Sequence, residues 1–140
     1  MIHNVTYNNE DTREAIDSAV GKPFGLVRRI KMGGIGSKRL IIRSVSPGLM
    51  RLVSSVSDIH YGNIELRPKG IVVYTTRGLE RYAWPIHYHH LSIYNAQFFS
   101  IHAEGNYIQF IKNNLYTENH AFLKKMLVIK NIYQANSQLV

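Results

Sequence analysis

Between residues 59 and 113 the chain is cut into short runs of β-branched and aromatic residues, each closed by a turn signal. This punctuation constrains the fold more than any other feature. Ile64 and Leu66 alternate with Asn63, Glu65 and Arg67, the period-two pattern of a strand with one buried face. Arg67-Pro68-Lys69-Gly70 reads as a β-turn, with Pro fixing φ and Gly closing the turn. Residues 71–76 are all β-branched or aromatic, which suits a pleated strand. Arg77-Gly78 turns the chain again, and Tyr82, Trp84 and Ile86 then alternate with Arg81 and Ala83. Pro85 has no N–H to give a neighbouring strand, so it predicts an edge, a bulge or a strand exit. Further runs follow at 90–94, 98–103 and 107–112, the last two joined by the hairpin signal Glu104-Gly105-Asn106. Six such strands predict an antiparallel meander over residues 59–113, in a mainly β (α+β) barrel or sandwich of six to seven strands.

Beyond Asn114 the period changes. Phe122, Met126, Ile129 and Tyr133 fall on one helical stripe that Leu123 and Leu127 widen, with Lys124, Lys125 and Lys130 off it. The spacing predicts a helix over 117–134, with Thr117 or Asn119 as N-cap, covering the open end of the meander. Residues from 134 onward are expected to fray. Toward the N-terminus, residues 11–20 predict a short helix stopped by Gly21-Lys22-Pro23. Residues 26–32 and 39–45 read as two basic strands around Gly33-Gly34-Ile35-Gly36, and residues 48–56 as a possible helical turn. The length of 140 residues fits one domain.

The net charge of +8 is concentrated in one stretch. Residues 18–57 contain no Asp or Glu but hold Lys22, Arg28, Arg29, Lys31, Lys38, Arg39, Arg43 and Arg51. Elsewhere nine basic residues balance nine acidic ones. The chain therefore divides into an acidic segment 1–20, a basic segment 21–57, the meander and the helix. Such asymmetry points to an anionic partner. The absence of cysteine excludes disulfide scaffolds, thiol nucleophiles and Cys-based metal sites. No uninterrupted apolar run reaches the ~18 residues of a transmembrane helix, and no apolar signal-peptide core precedes residue 18, so a cytoplasmic location, free or peripheral to a membrane, is the expectation.

Strands in this order followed by one C-terminal helix are similar to the bacterial pleckstrin-homology-like (PH-like) domains. The resemblance spans residues 62–133. It is carried by Asn63-Ile64-Glu65-Leu66-Arg67-Pro68-Lys69-Gly70-Ile71 as a strand–turn–strand unit, and by Trp84-Pro85-Ile86 running into Leu91-Ser92-Ile93. It implies a PH-like fold and a non-enzymatic module that binds lipids, peptides or partner proteins, with no cofactor. The long basic segment is more than one first strand of that fold requires.

Residues 24–43 interleave cations with Leu26, Val27, Ile30, Met32, Ile35, Leu40, Ile41 and Ile42. Arg28, Arg29, Lys31, Lys38, Arg39 and Arg43 are the candidate anion-binding residues, and the N–H groups of Gly33, Gly34 and Gly36 are placed to approach an anion. Three partners fit: an anionic phospholipid surface, a partner protein or a nucleic acid. Two strands with outward basic faces account for the same residues without any ligand. The apolar positions also suit a homo-oligomer interface. Gly33-Gly34-Ile35-Gly36-Ser37-Lys38 lacks the Gly-Lys-Ser/Thr order of a phosphate loop. His87 and His89, sharing a strand face, are candidate metal ligands, with His60, His102 or Glu104 as a third. That set, or Glu65 with Glu80 as a carboxylate pair, would be needed by a hydrolase. The aromatic side chains read mainly as core.

Overall fold

The computed structural model describes residues 1–53 and 59–138. Within them, eight strands form one antiparallel sheet in the order β1-β5-β4-β3-β2-β8-β7-β6. The strands are β1 (His3–Asn4), β2 (Leu40–Val45), β3 (His60–Leu66), β4 (Gly70–Arg77), β5 (Glu80–His87), β6 (Ser92–Asn95), β7 (Phe99–Ala103) and β8 (Asn106–Phe110). The mainly β, α+β expectation holds, and all six predicted strands of the meander are present. The strand count and the closed barrel are corrected: β1 adds an eighth strand against β5, and the edges β1 and β6 do not pair. A two-residue strand carries no periodicity, so sequence offers no sign of it.

Pro85 sits where its missing N–H does no harm. It pairs with Val72 on β4, while β1 reaches only to Ala83, so the far side of Pro85 is open. The β7–β8 hairpin turns through Glu104 and Gly105, both at positive φ (50° and 82°), the geometry of a tight two-residue turn.

The concave face carries the main core. Leu40, Ile64, Leu66, Ile71, Ile101, Ile108 and Phe110 are fully buried on it, together with Leu49 and Leu52 from a 3-10 helix, Pro47–Leu52. Helix α4 (His120–Gln138) inserts Leu123 and Met126 into this core, as the apolar stripe predicted. It runs beyond residue 134, and Leu127 is left 36% exposed. A separate turn of helix, α3 (Asn114–Glu118), precedes it, N-capped by Asn113 through Tyr116 N–H. Thr117 lies within α3, while Asn119 precedes α4 and its carbonyl accepts from Leu123 N–H, its side chain being used elsewhere. Asn119 is buried between α3 and α4, accepting from Lys38 N–H (2.8 Å) and donating to the carbonyls of Arg39 and Leu115. One amide thus ties the basic segment to the helical cap.

Helix α1 (Glu10–Val20) covers the opposite face of β4 and β5, where Ile16 and Val20 pack on Val72 and Ala83. Asn9 caps it by accepting from Thr12 N–H, and Glu10 and Asp11 complement its positive end. Gly21 (φ 88°) ends it.

The region expected to be the first basic strand is instead helix α2 (Leu26–Lys31). The glycines decide this. Gly34 N–H bonds Arg29 O and Gly33 N–H bonds Ile30 O, with φ of 98° and 74°. That is a Schellman cap, which L-residues other than Gly adopt only at a cost. Leu40–Val45, the second expected strand, is β2. Of the helical stretch expected over 48–56, residues 48–52 fall in the 3-10 helix and residues 54–56 lie outside the described residues.

Candidate functional site

The two turns of α2 bury no side chain. Leu26, Val27 and Ile30 are 74%, 67% and 71% exposed, beside exposed Arg28, Arg29 and Lys31. Exposed Leu, Val and Ile this close together on one short helix leave apolar area in water that the fold does not cover. No acidic residue lies in the helix or within residues 18–57. Phe24 supports the arginines: its carbonyl accepts from Arg29 Nε (2.8 Å), and its ring lies under Arg28 at 5.8 Å. The far end of α2 is held by α4, whose Lys125 ammonium donates to Met32 O and Gly34 O at 2.9 and 2.8 Å. A cation on the last carbonyls of a helix offsets its negative end. Lys125 was expected on the solvent side of α4, and this tether is a role that spacing does not reveal.

The six candidate anion-binding residues fall in three places. Arg28, Arg29 and Lys31 are together on α2, and Lys38 is exposed in the following loop. Arg39, just before β2, lies over the Tyr61 ring (4.5 Å), and Arg43, within β2, over Phe98 (4.2 Å). The N–H groups of Gly33 and Gly34 are consumed by the helix cap, so they form no anion cradle. A partial signal for α2 was in the sequence: Lys-Met-Gly-Gly is a basic last turn followed by a glycine stop.

His87 and His89 do not share a strand face. His87 ends β5, and Tyr88–His90 form a 3-10 turn in which the His87 and His89 rings stack at 4.8 Å. His87 Nδ1 accepts from His89 N–H, which puts the neutral ring's proton on Nε2, facing Tyr133 Oη at 3.2 Å. Both nitrogens of His87 are therefore engaged. His90 Nδ1 meets Glu104 Oε1 at 2.8 Å instead of a shared ligand. Among the described residues no three His, Asp or Glu side chains are grouped to hold a metal ion. Glu65 and Glu80 are separated by β4, and each has its own partner: Glu65 accepts from Arg67 and Tyr74, Glu80 from Tyr82. A pocket of about 450 Å³ opens beside the free edge of β5, lined by His3, Ala15, Ala19, Trp84 and Pro85 with the His90–Glu104 pair.

Burial, followed by the charges of His89, His90 and Lys69, lowers the pKa of His87. His3 and His102 are lowered too, in each case chiefly by burial. A depressed histidine pKa means the unfolded chain binds more protons, so stability falls as pH drops through the ordinary value of about 6.5 toward the native one. Thermal unfolding followed from neutral to mildly acidic pH is expected to show this decline, and His87→Gln to flatten it. Equal slopes for the two proteins would remove His87 from the account. No protein-family model, curated protein or solved structure matches the chain.

Proposed function

We propose that this protein is a non-enzymatic, PH-like binding module that docks peripherally on an anionic phospholipid surface through α2. One observation carries the reading: Leu26, Val27 and Ile30 stand in solvent on the same two turns as Arg28, Arg29 and Lys31. An apolar wedge rimmed by cations matches the headgroup–acyl boundary of a membrane, where each Lys or Arg near the surface contributes about 1 kcal/mol. Seven of the strands, β2 to β8, followed by α4, support the PH-like resemblance by their chain order. Among the described residues no helix is long and apolar enough to cross a membrane.

Sedimentation with phosphatidylcholine vesicles, with and without phosphatidylserine, tests this. Binding is expected only with phosphatidylserine. Arg28→Gln combined with Arg29→Gln should weaken it roughly 30-fold, two cations at about 1 kcal/mol each. Ile30→Ser should weaken it while leaving the salt dependence unchanged. Equal recovery on both vesicle types ends the lipid reading. A dimer by light scattering that Ile30→Ser dissociates would assign the apolar face to a second copy.

A further inference from the structure

The convex face of β2, β6, β7 and β8 has a composition that core formation does not explain. Register places Tyr94, Ser100, Gln109 and Ser44 in one row across the four strands, and Ser92, His102 and Tyr107 in the next. Their strand neighbours Phe99, Ile101, Ile108 and Phe110 point the other way into the core. Tyr94 is 56% exposed and meets His102 edge-on, with ring centroids 4.7 Å apart. His102 in turn stacks on Tyr107 at 5.4 Å. The Arg43 guanidinium carbon lies 4.2 Å from the centre of the Phe98 ring at the border of this row, and Ser44 Oγ donates to Gln109 Oε1 at 2.7 Å. A cleft of about 320 Å³ runs between Tyr94, Gln97, Phe98, Ser100, His102 and Gln109. These four strands contain no Asp or Glu.

We propose that this face is a stacking platform for single-stranded nucleic acid. Every base has a flat π face that an exposed ring can stack on, whatever the sequence. Base edges need polar groups beside the ring, here exposed Gln97 and half-buried Gln109. Phosphates need cations without competing carboxylates, and Arg43 supplies one, with Arg39 over Tyr61 just before β2 begins. Arg43 and Arg39 are already oriented by the rings beneath them, which reduces the ordering cost of a contact. A neutral sugar would stack on the same rings, but a sheet face lacking carboxylate acceptors suits a polyanion better. The platform uses no residue of α2, so it stands or falls independently of lipid docking.

The test is fluorescence anisotropy of the full chain with labelled RNA and DNA oligonucleotides of one mixed sequence. Binding is expected, falling with rising salt, with the preference between RNA and DNA read from the two arms. Tyr94→Ala should weaken it roughly tenfold or more, the loss of one stacked base, while Tyr94→Phe keeps the ring and should bind as the wild type does. Arg43→Gln should weaken it and flatten the salt slope. Circular dichroism of each variant reports whether the fold survives. Three outcomes overturn the proposal: no binding of either oligomer, Tyr94→Ala binding as wild type, or full competition by the same sequence as a duplex.

Discussion

Replacing Arg67 by Met is expected to destabilise the protein by about 3–5 kcal/mol. Arg67 is 5% exposed, yet it carries a charge, because three acceptors converge on it. Its Nη1 meets Asp17 Oδ1 at 2.9 Å and Gly21 O at 2.8 Å, and its Nε meets Glu65 Oε1 at 2.6 Å. Burial opposes the charge, and Glu65 and Asp17 outweigh it, so the guanidinium is held above its ordinary pKa. Without it two carboxylates and the Gly21 carbonyl are left facing one another, and the link from Lys69 N–H to Val20 O is what still ties the end of α1 to the β3–β4 turn. Urea unfolding by circular dichroism measures the loss. Asp17→Asn, which leaves Glu65 paired, should cost clearly less. A change below about 1 kcal/mol for Arg67→Met would mean that water replaces the guanidinium, as at an exposed ion pair.

The second large effect is expected at Gly70. A Cβ there would lie 2.1 Å from the Ile86 carbonyl oxygen, 2.8 Å from Val20 Cγ1 and 2.9 Å from His87 Cα. Two of these are backbone atoms of β5, which cannot move without breaking the β4–β5 pairing that Gly70↔His87 begins. Gly70→Ala is therefore expected to cost about 3 kcal/mol or more, the upper range of overpacking. Gly36→Ala, where nothing lies within 4 Å of the added methyl, is the control and should be close to neutral. An unchanged urea midpoint for Gly70→Ala would show that β5 can shift outward. The sequence assigned this glycine to a turn. The requirement is close approach: α1 and β5 both press on it.

Much of the meander was legible because period two and turn chemistry are local. Residues 71–76 and the Glu104-Gly105 hairpin needed no tertiary information to be placed. The helix α2 was misread because its apolar residues, Leu26, Val27 and Ile30, look like core, and core in this region suggested a strand. Only burial shows that they face solvent. The rings divide on the same ground: Tyr82, Trp84, Tyr88, Phe99 and Phe110 are buried, as expected of core, while Tyr94 is exposed and Phe98 and Tyr107 are half-buried. Composition cannot separate these groups, since a strand offers an aromatic residue equally to either face. The histidines illustrate a third limit. Their spacing implied a shared strand face, but the chain leaves the sheet after His87, and a turn gives each ring a different partner.

By itself the sequence determined that this chain forms antiparallel strands, that a C-terminal helix covers them, and that its excess charge lies in one acid-free stretch. These follow from periodicity, turn residues and counting, all of which depend on neighbours along the chain. The tertiary structure decided where that charge goes: three cations on an exposed helix with apolar residues between them, and two arginines stacked on rings along β2. It also decided which glycine must remain glycine and which arginine is buried. Those outcomes depend on contacts such as Arg67 with Asp17 and Asn119 with Lys38, between residues 50 and 81 positions apart. No local pattern encodes which distant group will meet a side chain, and it is there that the surface features of this protein are set.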